Sequence, residues 1–206
     1  MKSRNFEKSG REIVVLAHNI RSVLNVGSIL RSCEGFGISR VFATGWTPNL
    51  SFATDGSGAK LLPHVREKLR RELHKTALGA EEIVDFAARA DVFDLISELR
   101  ENGFLIVGLE QDSRSVELAE FSRKNPAAKM RRDERKENSF SFPNEEAFSR
   151  AKREQIALLL GEEVDGLSPE LRENCDVLVE IPMFGRKESF NVSVAAGICL
   201  YELSRK

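Results

Sequence analysis

Apolar residues run consecutively at Ile13-Val14-Val15-Leu16-Ala17, Phe104-Leu105-Ile106-Val107 and Ile156-Ala157-Leu158-Leu159-Leu160. These runs are short, aliphatic and often β-branched, and they lack the alternation of a strand with one wet face, so they predict strands buried on both faces. Arg40 to Thr44, Val84 to Phe86 and Asp176 to Ile181 read as further strands. Between the strands the period changes. Val26, Ile29, Leu30, Cys33 and Phe36 recur at three and four, which predicts a helix that Gly37 ends at its C′ position. Asp91 predicts the N-cap of a helix through Leu99, closed by Asn102-Gly103. Ser168 and Pro169 predict an N-cap and first helical residue, and Ser189 to Leu203 a closing helix with Val192, Ala195, Ala196, Cys199 and Leu200 on its apolar face. Residues 60–75 are basic and helical in pattern, 117–121 carry little pattern, and 47–58 are rich in Pro, Gly, Ser and Thr, which predicts a long loop.

Strands alternating with helices predict an α/β fold, a mainly parallel sheet with helices on both faces. The pattern lapses at about 122–154, where aliphatics are few and basic residues dominate. That composition predicts a charged, flexible insertion, or a mobile basic arm for nucleic-acid phosphates, within a single domain spanning 1–206.

Composition narrows the function classes. The chain has 31 basic and 32 acidic residues, a net charge of −1, so bulk positive charge is not its means of gripping nucleic acid. No apolar run reaches membrane-spanning length, and the N-terminus lacks the apolar core of a signal peptide, which predicts a cytoplasmic protein. Cys33, Cys175 and Cys199 form no CxxC pair and the three histidines are scattered, so no metal site is expected and the thiols read as reduced and buried. There is no GxGxxG after the first strand, no GxxxxGK[ST] and no evident Ser-His-Asp set, which argues against an ordinary dinucleotide site, a P-loop and a serine hydrolase.

In a parallel α/β sheet, ligands bind beyond the carboxyl ends of the strands. Three post-strand segments there are distinctive: Asn25-Val26-Gly27-Ser28-Ile29-Leu30-Arg31, Gly161-Glu162-Glu163-Val164-Asp165-Gly166-Leu167, and Ile181-Pro182-Met183-Phe184-Gly185 leading to Glu188-Ser189-Phe190-Asn191-Val192-Ser193-Val194-Ala195. Taken singly, their glycines could shape turns, Ser189 could cap the last helix, Asn191 could be a polar residue of its first turn, and Arg31 could be a solvated helix arginine. Taken in order, they resemble the N-x-G-x-x-x-R, G-x-E-x-x-G-L and I-P-M-x-G…S-L-N-V-S-V-A motifs of the SpoU family of RNA 2′-O-ribose methyltransferases, in the SPOUT superfamily. Phe190 stands where the family has leucine, and the 122–154 stretch is longer than the family's loop.

The resemblance implies a good deal that the pattern alone does not. It implies S-adenosylmethionine as methyl donor, an RNA substrate (tRNA or rRNA), a homodimer with its site at the subunit interface, and a C-terminal deep trefoil knot threading residues of about 156–200. It implies Arg31 as the main catalytic residue, clamping a phosphate or activating the hydroxyl. Asn25, Ser189 and Asn191 would orient ribose and arginine, and Glu163 would support the site through hydrogen bonds or an arginine contact. Groups at Leu109, Gly161, Ile181, Met183 and Phe190 would hold the cofactor. RNA contacts are expected from Lys60, Arg66, Arg70, Arg71 and Lys75 in the 60–75 stretch, and from Arg21, Arg186 and Lys187 beside the site. A non-catalytic RNA-binding protein on the same scaffold is the alternative; the joint presence of Asn25, Arg31, Glu163, Ser189 and Asn191 favours the enzyme.

Overall fold

A computed structural model describes residues 11–49, 62–124 and 155–205. Lys60, most of the loop expected at 47–58 and the body of the expected insertion, 125–154, lie outside the described residues.

Among the described residues, seven parallel strands form one sheet: β1 (Glu12–His18), β2 (Arg40–Thr44), β3 (Asp85–Ala88), β4 (Leu105–Leu109), β5 (Val116–Glu117), β6 (Gln155–Leu160) and β7 (Val177–Glu180), in the order β3-β2-β1-β6-β4-β7-β5. The continuous apolar runs are explained by two cores, one per face. Ile13, Val15 and Ala17 of β1 join Ile156, Leu158 and Leu160 of β6 on one side. Val14 and Leu16 join Ala157 and Leu159 on the other. With side chains alternating along each strand, both parities must be apolar.

The first core is covered by α1 (Val23–Gly35), α2 (Pro63–Ala77), α4 (Leu118–Lys124) and α6 (Val192–Ser204), the second by α3 (Val92–Glu101) and α5 (Pro169–Glu173). The helix ends follow local chemistry. Asp91 accepts from the N–H groups of Phe93 and Asp94, and Ser168 from that of Leu171. After α1, Gly37 N–H reaches Glu34 O and Ile38 N–H reaches Cys33 O, the paired closure of a C′ glycine. The last helix differs from expectation. It begins at Val192 rather than Ser189, and its N-cap is Asn191, whose side chain accepts from Ser193 N–H.

Gly27 of the first motif serves packing. It is buried, and a Cβ there would lie 2.2 Å from Thr76 Oγ1 and 2.6 Å from Leu73 O of α2. Thr76 completes the close crossing by donating to Leu24 O at 2.9 Å. Cys33 and Cys199 are buried, and burial pushes the Cys33 thiol up to about 12.

Candidate active site

The sheet order sets β6 between β1 and β4, and β7 beyond β4, so the loops that follow all four strands share one edge. A cleft opens there, of about 760 Å³ with its mouth included, between the ends of β4, β6 and β7 and the start of α6. Leu109, Leu160, Ile181 and Phe190 supply apolar walls, and Gly161 opens the floor. A Cβ on Gly161 would lie 2.4 Å from the carbonyl carbon of Gly166, because the 161–167 loop doubles back through paired backbone bonds between Glu162 and Gly166. Glu110, Glu162, Glu163, Asp165 and Glu180 also line the cleft, whereas no lysine or arginine does so among the described residues.

Three sequence motifs meet at its rim through one hydrogen-bonded chain. The Glu163 carboxylate accepts from Ser22 N–H at 3.0 Å and Asn25 Nδ2 at 3.1 Å through Oε1, and from Arg21 N–H at 3.2 Å through Oε2. Asn191 Nδ2 donates to Asn25 Oδ1 at 3.2 Å, and Asn191 Oδ1 accepts from the backbone and hydroxyl of Ser193. Both amides have their orientation dictated from outside. A carboxylate can only accept and a backbone N–H can only donate, so the direction of every bond between Glu163 and Ser193 N is set.

The glutamate sits at the N-terminus of α1, whose first N–H groups lack helical partners and whose dipole favours an anion. Burial, the largest single influence on Glu163, pushes its carboxyl up, but the bonds from Ser22, Asn25 and Arg21 together outweigh it and hold it below the usual carboxylate range.

Of the predicted residues, Glu163, Ser189, Leu109, Gly161, Ile181 and Phe190 line the cleft, and Asn25 and Asn191 join it through Glu163. Two do not. Met183, expected to hold the cofactor, is not among the residues that line the cleft. Arg31 is exposed on α1, nearly two turns past Asn25, and its side chain makes no hydrogen bond or ion pair among the described residues. Of the predicted RNA contacts, Arg66, Arg71, Arg186 and Lys187 are exposed, while Arg70 pairs with Glu82, Lys75 with Glu72 and Arg21 with Glu162.

One residue of the site escapes motif reading. Glu110 Oε2 accepts from Leu167 N–H at 2.6 Å, latching the glutamate loop to the end of β4. Its only sequence signal is a carboxylate immediately after a fully apolar strand.

Comparison with known proteins gives a consistent set of similarities. A model of the SpoU rRNA methylase family matches residues 53–201. A 23S rRNA (guanosine-2′-O-)-methyltransferase RlmB of Nitrosomonas europaea is 29% identical over 195 residues, 94% of this chain and 56% of its own. A tRNA (guanosine(18)-2′-O)-methyltransferase of Aquifex aeolicus is 26% identical over 201 residues, 97% of this chain and 72% of its own. The chain spans 61% of the length of TrmH-family relatives from Staphylococcus aureus. In fold, it resembles an AdoMet-bound rRNA methyltransferase of Sinorhizobium meliloti with a TM-score of 0.64 at 22% identity, covering 95% of this chain and 57% of that one.

Proposed function

The chain belongs to the SpoU rRNA methylase family, and from that premise we propose that it transfers a methyl group from S-adenosylmethionine to a ribose 2′-hydroxyl of tRNA or rRNA. The observation that carries this reading is the bonded chain Glu163–Asn25–Asn191, which joins three separated motifs at the rim of one cleft. The relatives named as RNA 2′-O-methyltransferases support it.

The cleft fits the cofactor. Leu109, Ile181 and Phe190 offer apolar surface to a purine, backbone beside Gly161 and Ile181 offers hydrogen bonds, and a lining with five carboxylates suits a positively charged ligand. S-adenosylmethionine supplies an electrophilic methyl group when bound. The protein's task is then to hold a weak nucleophile in line and ease the loss of its proton. Ser189 and Asn191 orient the ribose, Glu163 and Asn25 keep Asn191 in one rotamer, and Arg31 clamps the phosphate and stabilises developing negative charge. Arg66, Arg70, Arg71, Lys75, Arg186 and Lys187 supply phosphate contacts.

Arg31 lies outside its own chain's cleft, which favours a site completed across a homodimer. The sequence of α6, Val192-Ser193-Val194-Ala195-Ala196-Gly197-Ile198-Cys199-Leu200-Tyr201, is apolar nearly all round. Ala196, Cys199 and Leu200 are buried while Val194, Ile198 and Tyr201 face solvent, as does Leu24 of α1. A helix with two apolar faces needs cover on both. A second copy seated on this strip would bring Arg31 of the partner subunit to the cleft. The same reading takes the protein to be cytoplasmic, the domain to be a single methyltransferase unit with a charged insertion, and residues of about 156–200 to thread a trefoil knot. The interleaved placement of β6 and β7 around β4 supports the knot.

The test is transfer of radiolabelled methyl from S-adenosylmethionine to total RNA of a deletion strain. A 2′-O-methyl blocks alkaline cleavage at its own phosphodiester, so the expected product is label at an alkali-resistant position. No transfer, together with no calorimetric binding of S-adenosylhomocysteine, refutes the assignment.

A further inference from the structure

Trp46 is the chain's only tryptophan, and it is 65% exposed, whereas Thr47 and Asn49 just after it are buried. That inverts the usual preference, since an indole gains far more by burial than a hydroxyl or an amide. The inversion is built by the backbone. Thr47 Oγ1 donates to Ala17 O at 2.8 Å and accepts from Ile20 N–H at 3.1 Å. Asn49 Nδ2 donates to Phe86 O at 3.3 Å. Trp46 N–H donates to Asn19 Oδ1 at 3.0 Å, and Asn19 N–H donates to Thr44 O at 3.2 Å. Asn19 and Gly45 both have positive φ, 56° and 61°, and a Cβ on Gly45 would lie 2.0 Å from Asn19 Oδ1. The loops after β1 and β2 are thus tied into one unit, and the indole is the part of that unit left in water.

We propose that Trp46 is a stacking platform for an unpaired base of the RNA, flanking the nucleotide whose ribose enters the cleft. The inference rests on the RNA methyltransferase reading and adds to it a place where a base is held. Position argues for it. The loop that fixes Trp46 continues from Asn19 into Arg21 and Ser22, whose N–H groups bond Glu163 at the cleft rim. Two strand spacings, about 10 Å, separate β2 from β6 on the same edge of the sheet. Chemistry argues for it as well. Arg21, which follows Asn19 on the same loop and is ion-paired with Glu162, keeps its side chain 71% exposed, and single-stranded RNA is held by aromatic faces under its bases and cations at its phosphates. A preset backbone and two side-chain torsions leave little freedom to lose on binding.

A sole tryptophan makes the test direct, because intrinsic fluorescence reports on this position alone. The full chain is titrated with a short oligoadenylate, and separately with an abasic ribose-phosphate strand of the same length. Affinity is read in parallel from the anisotropy of fluorescein-labelled oligoadenylate. Expected are saturable quenching with the anisotropy midpoint, no quenching by the abasic strand, and a Kd raised about 5- to 150-fold in W46A, the loss of one stacked base. W46F should stay within about threefold of the wild type, since a phenyl ring still stacks. Binding without quenching, W46A binding like the wild type, or W46F failing as badly as W46A would each overturn the platform. So would a fluorescence change driven by protein concentration alone, which would place the indole in a protein interface. If the wild type methylates RNA while its fluorescence stays silent, only the platform falls. If it neither methylates RNA nor binds S-adenosylhomocysteine, the methyltransferase reading itself falls.

Discussion

Replacing Glu163 by glutamine tests the rim network by changing charge and leaving shape. The carboxylate accepts three donors: Ser22 N–H, Asn25 Nδ2 and Arg21 N–H. Glutamine has one acceptor atom. Placed at the Oε1 position, its oxygen keeps Ser22 and Asn25, and its amide NH2 then faces Arg21 N–H, donor against donor. One charge-assisted bond is lost and the other two lose their charge. Hydrogen bonds to charged groups contribute about 1.5–3 kcal/mol. Arg21 is exposed and water can replace the lost partner, so the expected cost is about 1–2 kcal/mol. For a chain of this size that lowers Tm by about 2–8 °C.

The cost must also depend on pH. The folded-state pKa of Glu163 lies below its ordinary value. Its contribution is therefore fully present above the unfolded pKa, about 4.3, and disappears as pH falls through the depressed folded value. Urea unfolding followed by far-UV circular dichroism, at fixed protein concentration from neutral pH to about 3, should show wild type and E163Q converging toward acid. Equal stability at neutral pH, or a gap that stays constant with pH, would refute the account of the network.

Arg31→Ala should lower methyl transfer by about 100-fold or more and leave Tm and S-adenosylhomocysteine affinity unchanged; full transfer would remove Arg31 from the catalytic set. Gly161→Ala puts a methyl group 2.4 Å from the Gly166 carbonyl carbon. It should cost about 1–3 kcal/mol by overpacking and weaken S-adenosylhomocysteine in calorimetry, and an unaltered Kd would move the cofactor elsewhere. Ile198→Glu lies on the exposed strip of α6. It should convert the proposed dimer to a monomer in sedimentation velocity and abolish transfer, and a dimer that persists would refute that interface.

Much of the fold was legible because it is local. The apolar runs, the Ser168-Pro169 start, the Asp91 cap and the Gly37 closure each depend on atoms within about one turn of each other, and the structure has each as read. Where two local readings compete, tertiary contact decides. Ser189 and Asn191 are both competent caps, and Asn191 takes the role while its amide also reaches Asn25, 166 positions away. The two-residue strand Val116–Glu117 exists only through its pairing with β7 and is too short for any period to declare it.

The candidate site divides in the same way. Its motifs could be picked out along the chain, because glycine, proline and polar residues at particular spacings after apolar strands are visible in one dimension. Their meeting could not. Every apolar strand can pair with every other, so nothing local says that β6 inserts between β1 and β4, and that insertion is what carries Glu163 to the start of α1. Glu110 and Trp46 belong wholly to the structure, since one acts through a loop 57 residues away and the other through a side chain 27 residues back. The sequence alone determined which segments are strands and helices and which residue types stand after them, through propensity, periodicity and capping. Only the tertiary structure decided which of those residues share a cleft, because the strand order is chosen by the summed burial of two whole faces and not by any short stretch of chain.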